Sequence, residues 1–309
     1  MSGLHRTAAA LLAVLVAPTR ATEARAQEIV GRSETSFSVA ERVATGGWVR
    51  IGSPNGAIKV VAGRGSEVQI RAEKRVSRGS VEDVGFVVRR TAGGITVCAV
   101  FRNEDECSAA GDYQGDDLPR RWSDDHRVSI DFTVSVPQGA RIKVGTGNGA
   151  FAIEGVGADV IASTGNGRLD ISGSSARVTA STGNGQVMID GARGPVEVST
   201  GNGPVHVASA TGEITANTGN GAIDVAIDRL DPPADLDLTT GSGRITVTAP
   251  AGFGAELRWR TGNGLVRTDF PLETTDRLSR SRGRGTIGNG NGRLEARSGN
   301  GDVVIRRSP

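Results

Sequence analysis

Aromatic residues, histidine and cysteine are all scarce in this chain. Its 309 residues include seven Phe, three Trp, one Tyr, three His and two Cys. A core must therefore be built from Val, Ile, Leu and Ala, which favours thin packed layers over a bulky interior. The 45 glycines could indicate disorder, but they recur at fixed positions beside alternating β-branched residues, and this is typical of an ordered chain.

A surplus of charge of one sign is also missing, since the formal net charge is +2. Residues 1–26 carry three arginines and one glutamate, contain an apolar run at 8–17 and end in Ala-Arg-Ala, as a secretory signal peptide does. Removal of this predicted signal peptide leaves a mature chain close to neutral, which argues against a nucleic-acid partner. No later segment is apolar enough for a transmembrane helix. We therefore expect an exported protein in the periplasm, on the cell surface or outside the cell.

Arginine is concentrated near the C-terminus. The residues concerned are Arg277, Arg280, Arg282, Arg284, Arg293, Arg297, Arg306 and Arg307. Because they are spread among acidic residues, we interpret them as a solvated edge and not as a site for an anionic polymer.

The two cysteines, Cys98 and Cys107, are nine residues apart. In an oxidising compartment, an even number of cysteines at this spacing predicts one structural disulfide. Metal binding would need more ligands, and a nucleophilic cysteine would need a histidine partner, so neither is favoured.

The tetrapeptide Thr-Gly-Asn-Gly recurs with a fixed period. Its copies begin at Thr146, Thr164, Thr182, Thr200 and Thr218, at intervals of 18 residues. Looser copies follow at Thr240, Thr261, Gly288 and Ser298. A period of this kind indicates a repeat architecture.

Pairs of apolar residues flank each copy. Val160 and Ala162 precede the copy at Thr164, while Leu169 and Ile171 follow it. Each repeat thus holds two short strands with period-two alternation, joined by two corners.

Two architectures can use such strands. Asn-Gly is a strong hairpin signal, which favours an antiparallel β-meander or sandwich. A constant length of 18 residues is needed only where coils stack in register. This favours an all-β fold, a right-handed parallel β-solenoid (single-stranded β-helix) with about 18 residues per coil.

In the solenoid, each coil would stack on the preceding one at about 4.8 Å. The motif asparagines would then form a ladder of side-chain amides at a corner: Asn148, Asn166, Asn184, Asn202 and Asn220. The glycines on both sides would supply positive φ angles, and the threonine would lie in the corner. The motif is thus predicted to be structural.

Residues 27–140 are also rich in strand patterns. Asn55-Gly56 is followed by Ile58 and Val60 at the offsets of the repeat. We expect residues 27–140 to form an N-terminal β-rich region, as the start or the cap of the solenoid, and residues 141–309 to form the repeat solenoid. An acidic loop at 103–126 lacks the spacing of a calcium loop and is interpreted as solvated.

Candidate catalytic residues are few. His126 and His206 belong to no nucleophile or metal motif, and His206 is expected on an outward strand position. Asp170 and Asp224 would be three coils apart, about 14 Å, which is too far for a glycosidase pair. The inserted loop holds a closer set, Asp228, Asp231, Asp235 and Asp237. No catalytic, cofactor-binding or metal-binding residue and no cofactor is predicted.

Several features together resemble a known family. They are the export signal, the turn at Asn55-Gly56, the approach FTVSVPQGARIKVGTGNG at 132–149 and the repeats themselves. The chain resembles, over about 36–305, the bacterial "putative adhesin" family, a domain of unknown function related to the head domain of autotransporter adhesins. The resemblance implies a right-handed parallel β-solenoid on the cell envelope, and it carries over no catalytic residue.

Three functional hypotheses follow. The favoured one is a non-enzymatic exported protein, an adhesin or envelope-associated binding protein, that meets an unknown envelope or surface component. The second is a scaffold that self-associates through the edges of the solenoid. The third is a carbohydrate-active β-helix enzyme.

Overall fold

The computed structural model describes residues 28–101, 106–107, 113–114, 127–210, 213–228, 235–274 and 281–309. The predicted signal peptide, most of the acidic loop, His126 and Asp231 lie outside these residues. The described chain forms strands and one short 3₁₀ helix, Val81–Asp83.

The strands form two large sheets and one small pair. Sheet A contains β1 (Ile29–Val30), β3 (Trp48–Asn55), β6 (Gly85–Thr91), β7 (Gly94–Val100), β11 (Arg141–Asn148), β13 (Val160–Asn166), β15 (Val178–Asn184), β17 (Val196–Asn202), β19 (Ile214–Asn220), β21 (Asp235–Ser242), β23 (Ala255–Asn263), β25 (Leu272–Glu273), β26 (Arg282–Ile287) and β27 (Gly292–Asn300). Sheet B contains β2 (Ser36–Arg42), β4 (Ile58–Ala62), β5 (Glu67–Arg78), β10 (Arg127–Val136), β12 (Phe151–Glu154), β14 (Leu169–Ser172), β16 (Val187–Asp190), β18 (Val205–Ala210), β20 (Ile223–Ile227), β22 (Ile245–Ala249), β24 (Val266–Thr268) and β28 (Val303–Arg307). The small pair is β8 (Glu106–Cys107) and β9 (Tyr113–Gln114).

Each coil of the repeat contributes one strand to each sheet, and neighbouring coils pair in parallel. In sheet A, Val160 lies opposite Val178, and in sheet B, Leu169 lies opposite Val187, so that both sheets keep the 18-residue offset. The all-β solenoid is therefore confirmed. The antiparallel meander is wrong for the repeats, because Asn-Gly here closes the corner of a coil and not a hairpin.

The core lies between the two sheets. Val160, Ala162, Leu169 and Ile171 face it, and each is at most 2% exposed. Removing one Val or Leu side chain from water contributes about 1.5–3 kcal/mol. Aliphatic pairs of this kind recur at the inward positions from β13 to β22.

The N-terminal end combines a solenoid coil with a cap. Strands β3 and β4 stack in parallel on β11 and β12, and β7 and β10 add one further parallel strand to each sheet. Beyond these the pairing becomes antiparallel, β6 with β7 and β5 with β10. Both sheets thus contain strands from before and from after residue 140. The division of the chain at that residue stays a prediction.

Lys74 joins the parts of this cap. It occupies an inward position of β5, where it is 8% exposed. Its Nζ lies within hydrogen-bond distance of four backbone carbonyl oxygens, which share its three N–H donors: Gly31 at 2.6 Å, Arg32 at 3.0 Å, Val81 at 3.0 Å and Val84 at 2.6 Å. Burial and then the Arg32 guanidinium lower the pKa of Lys74 to about 8, while Glu34 acts to raise it. No sequence pattern pointed to this residue.

The coils at the C-terminal end do not stack in sequence order. Strands β27 and β28 insert between the β21/β22 coil and the β23/β24 coil. The expectation that each coil stacks on the preceding one is therefore wrong here. The physical reason is that the corners are interchangeable: Ser298 donates to the carbonyl of Gly243 at 2.9 Å, and Thr261 donates to that of Gly301 at 3.0 Å. Strands β26 and β25 then cover this end of sheet A with antiparallel pairing.

Candidate functional site

The asparagines of the motif form a row of hydrogen bonds along one corner of the solenoid. Each side-chain Nδ2 donates to Oδ1 of the asparagine in the neighbouring coil at 2.8 Å; the pairs are Asn166 to Asn148, Asn184 to Asn166, Asn202 to Asn184 and Asn220 to Asn202. The row begins one coil earlier, where Asn148 donates to Asn55 at 3.0 Å. It is interrupted where Ser242 takes the same place.

The threonine of the motif does not lie in the corner. Thr182 is the last inward residue of β15 and is 5% exposed. Its Oγ1 donates to the carbonyl of Gly167 in the preceding coil at 3.2 Å. The alternation Val178, Ala180, Thr182 was the signal that could have predicted this position.

The first glycine of the motif serves close approach and not a positive φ. A Cβ built on Gly201 would lie 2.5 Å from the carbonyl oxygen of Gly183, and the φ of Gly201 is outside the left-handed region. The expectation of positive φ on both sides of the asparagine is therefore wrong. Glycine is needed because the backbones of successive coils meet at this point.

The constant residues of the repeat thus lie in the corner or in the core. The outward strand positions hold different residues from coil to coil. On the outward side of sheet B, some of the charged side chains contact each other. Arg168 Nε donates to Asp170 at 2.7 Å, and His206 Nδ1 lies 3.2 Å from Asp224 Oδ2. The 18-residue offset between His206 and Asp224 was the sequence signal for that contact. Asp170 is three strands from Asp224, so these two carboxylates do not meet.

Sheet A is different on its outward side. The outward positions of β13, β15, β17 and β19 hold Ile161, Ser163, Thr179, Ser181, Glu197, Ser199, Thr215 and Asn217, which we name the short-residue face. Five of these eight residues carry a hydroxyl and one carries an amide. The result is a flat polar surface with rows about 4.8 Å apart.

The aspartates of the inserted loop do not form a cluster in the described chain. Asp235 and Asp237 lie on β21, and Asp237 accepts a hydrogen bond from Arg297 at 3.1 Å. Within the described ranges, no group of three or more His, Cys, Asp or Glu is placed to hold a metal ion. Over the same ranges, no helix has the length and apolar character needed to cross a membrane.

Cys98 and Cys107 are joined by a disulfide, with 5.8 Å between their Cα atoms. Cys98 belongs to a small apolar cluster with Val87 and Val100, which is separate from the main core. The bond attaches β8 to this part of sheet A.

The edges of the two sheets differ in length. Sheet A ends in the two-residue strands β1 and β25. Sheet B ends in β24, with three residues, and in β2, with seven. A long edge strand presents unpaired backbone groups to other chains.

Comparison with known proteins finds similar solved structures and one family. A "putative cell adhesion protein" from Clostridium sporogenes is 10% identical, with 88% of this chain and 100% of that chain covered and a TM-score of 0.29. A "putative adhesin" from Bacteroides fragilis is 11% identical, with 90% and 99% covered and a TM-score of 0.25. No curated protein matches the chain. The model of the Toastrack DUF4097 family matches residues 126–306, and the chain therefore belongs to this family.

Proposed function

We propose that this chain is a non-enzymatic exported binding protein of the adhesin type, which contacts an extended polysaccharide of the cell envelope through the short-residue face. The observation that carries the proposal is the contrast between the two sheets. On the short-residue face, five of the eight outward side chains carry a hydroxyl and one is charged, whereas the matching outward positions of β14, β16, β18 and β20 hold one hydroxyl and three aspartates.

The chemistry of this face suits a carbohydrate chain. Serine and threonine hydroxyls and the Asn217 amide each donate and accept hydrogen bonds, as sugar hydroxyls do. A flat sheet cannot enclose a small molecule, but it can make the same weak contact in several successive coils. Contacts that repeat along one polymer add up to useful avidity.

The test is co-sedimentation of the full chain with envelope polysaccharide that has been cleared of protein and lipid by protease and detergent. Ser181→Arg with Ser199→Arg places two long charged side chains on the face. We expect this variant to lose about tenfold or more in affinity, because avidity depends on consecutive contacts.

The matched control places the same two arginines on the outward side of sheet B, at Ser172 and Ala208. Ser172→Arg with Ala208→Arg should bind as the unaltered chain does. Equal loss in both variants, or no loss in either, would reject the short-residue face as the binding surface.

A second candidate function, the self-associating scaffold, is favoured by one observation. Strand β2 is a seven-residue edge, long enough to pair with another copy. Light scattering across a wide range of protein concentration tests it, and a mass that stays monomeric throughout would exclude it.

A further inference from the structure

Four exposed arginines lie together on the outward side of β23 and β26. The antiparallel register places Arg258 opposite Arg284 and Arg260 opposite Arg282. All four side chains are exposed. We name these residues the arginine quartet, and we propose that it binds the carboxylates of an acidic polysaccharide.

The quartet has no charge partner in the described part of the chain, where no ion pair joins any of its four members. On the neighbouring strand β27, Glu295 lies opposite Arg258, but it pairs with Arg293 at 3.6 Å and with Arg297. Arg297 also pairs with Asp237 at 3.1 Å. Like charges directly opposite each other in a sheet are destabilising. An arrangement that keeps four such charges side by side points to a negative partner from outside.

The inward side of β26 explains why the quartet is held in place. The strand alternates arginine with glycine, and a Cβ built on Gly283 would lie 2.2 Å from the indole ring of Trp259. Trp259 is 5% exposed and fills the space that an inward side chain of β26 would need. Strand β26 therefore lies against the ring at this point, and both of its arginines point outward.

The spacing of the charges fits a polymer better than a single ion. The Cα atoms of neighbouring quartet residues lie about 5 Å apart across the strands and about 7 Å apart along them. Arginine binds carboxylate through two parallel hydrogen bonds. A flat grid of this kind matches an extended chain that carries one carboxylate on each sugar.

The surroundings disfavour other polyanions. Glu256 and Glu273 lie beside Thr286 at one side of the quartet and would repel a broad anionic surface. Nucleic-acid binding also needs a strongly basic domain, which a near-neutral chain does not provide.

The quartet and the short-residue face lie on the same side of the same sheet. Strands β21 and β27 separate β19 from β23. One extended polymer could therefore contact both surfaces, so the inference rests on the proposed function and adds the charge of the ligand to it.

The experiment measures binding of the full chain to polygalacturonate, which has one carboxylate per sugar, at low and at high salt. We expect Arg258→Gln with Arg284→Gln to weaken binding by about tenfold at low salt, because two charge-assisted contacts are removed. The variant should also show a smaller salt dependence. The control is Arg177→Gln with Arg244→Gln, two exposed arginines that lie outside the quartet, and its affinity should stay unchanged.

The unliganded quartet variant should melt no lower than the unaltered chain, since repulsion across β23 and β26 is relieved. This separates loss of binding from loss of folding. Equal weakening in quartet variant and control, or unchanged binding in both, would overturn the inference. Quartet-dependent binding to phosphatidylglycerol vesicles, without such binding to polygalacturonate, would overturn it in favour of a membrane surface.

Two further results separate the inference from the proposed function. If envelope polysaccharide binds through Ser181 and Ser199 while the quartet variant binds it equally well, the inference fails and the proposed function stands. If polygalacturonate binding depends on the quartet while the short-residue face is dispensable for envelope binding, the quartet stands and the proposed function fails.

Discussion

Replacing Lys74 by methionine tests the account of the N-terminal cap. The variant Lys74→Met keeps a side chain of similar length but cannot donate to the four carbonyl oxygens that now accept from Nζ at 2.6 to 3.0 Å. An ammonium group has three N–H donors, and a hydrogen bond to a charged group contributes about 1.5–3 kcal/mol. The loss of these hydrogen bonds is partly offset, because a buried methionine side chain carries no charge that must be removed from water. We therefore expect the free energy of unfolding to fall by about 3–5 kcal/mol.

The assay is urea unfolding of the full chain, combined with hydrogen exchange at residues 28–42 and 81–84, where the cap should open first. Lys59→Met is the matched control, because Lys59 is 55% exposed and its Nζ lies 3.8 Å from Glu154. The control should lose less than about 1 kcal/mol. A loss at Lys74 as small as that at Lys59 would refute the idea that its hydrogen bonds hold the cap together.

The difference in stability between the unaltered chain and Lys74→Met should depend on pH with a definite sign. The pKa of Lys74 is lowered to about 8 in the folded chain, against about 10.4 for an unperturbed lysine. Between these two values the unfolded chain binds more protons, so stability rises with pH. The stability of the unaltered chain relative to Lys74→Met should therefore increase from about pH 8 to pH 10.4, and a decrease over that range would contradict the lowered pKa.

Three further predictions concern the repeat and the disulfide. Asn184→Ala removes one hydrogen bond to each neighbouring coil and should cost about 1–2 kcal/mol in urea unfolding, whereas Asn217→Ala on the outward face should cost almost nothing; equal effects would show that the row of asparagines does not stabilise the corner. Gly201→Ala places a Cβ 2.5 Å from a carbonyl oxygen and should cost about 1–3 kcal/mol, while Gly252→Ala, with open space around it, is the control whose melting temperature should not fall. Reduction of the Cys98–Cys107 disulfide should lower the free energy of unfolding by about 2–3 kcal/mol, and an unchanged urea midpoint after reduction would contradict a stabilising role.

The solenoid itself could be predicted from the sequence because the repeat has a constant length. Coils of equal length stack in register without insertions, and the inward pairs such as Val160 and Ala162 recur at that constant interval. The local hairpin signal of Asn-Gly was outweighed by this long-range regularity. The position of threonine was wrongly predicted, because the end of the strand and the corner overlap in the motif.

The candidate binding surfaces could be predicted only in part. The outward position of His206 follows from alternation, but its contact with Asp224 depends on the pairing of two strands. Arg282 and Arg284 were visible as part of a basic segment and were interpreted as a solvated edge. Their relation to Arg258 and Arg260 arises because β26 turns back along β23, which no local pattern specifies.

The sequence by itself determined the strand content, the 18-residue coil and the inward residues, because these depend on local alternation and on a period that is read from successive repeats. The tertiary structure alone decided the order of the last coils, the antiparallel strands that cap the two ends and the grouping of the arginines. The reason is that the motif presents the same hydrogen-bonding corner in every coil. A coil with this corner can stack on any other, so the final order depends on the contacts that each coil makes across the whole molecule.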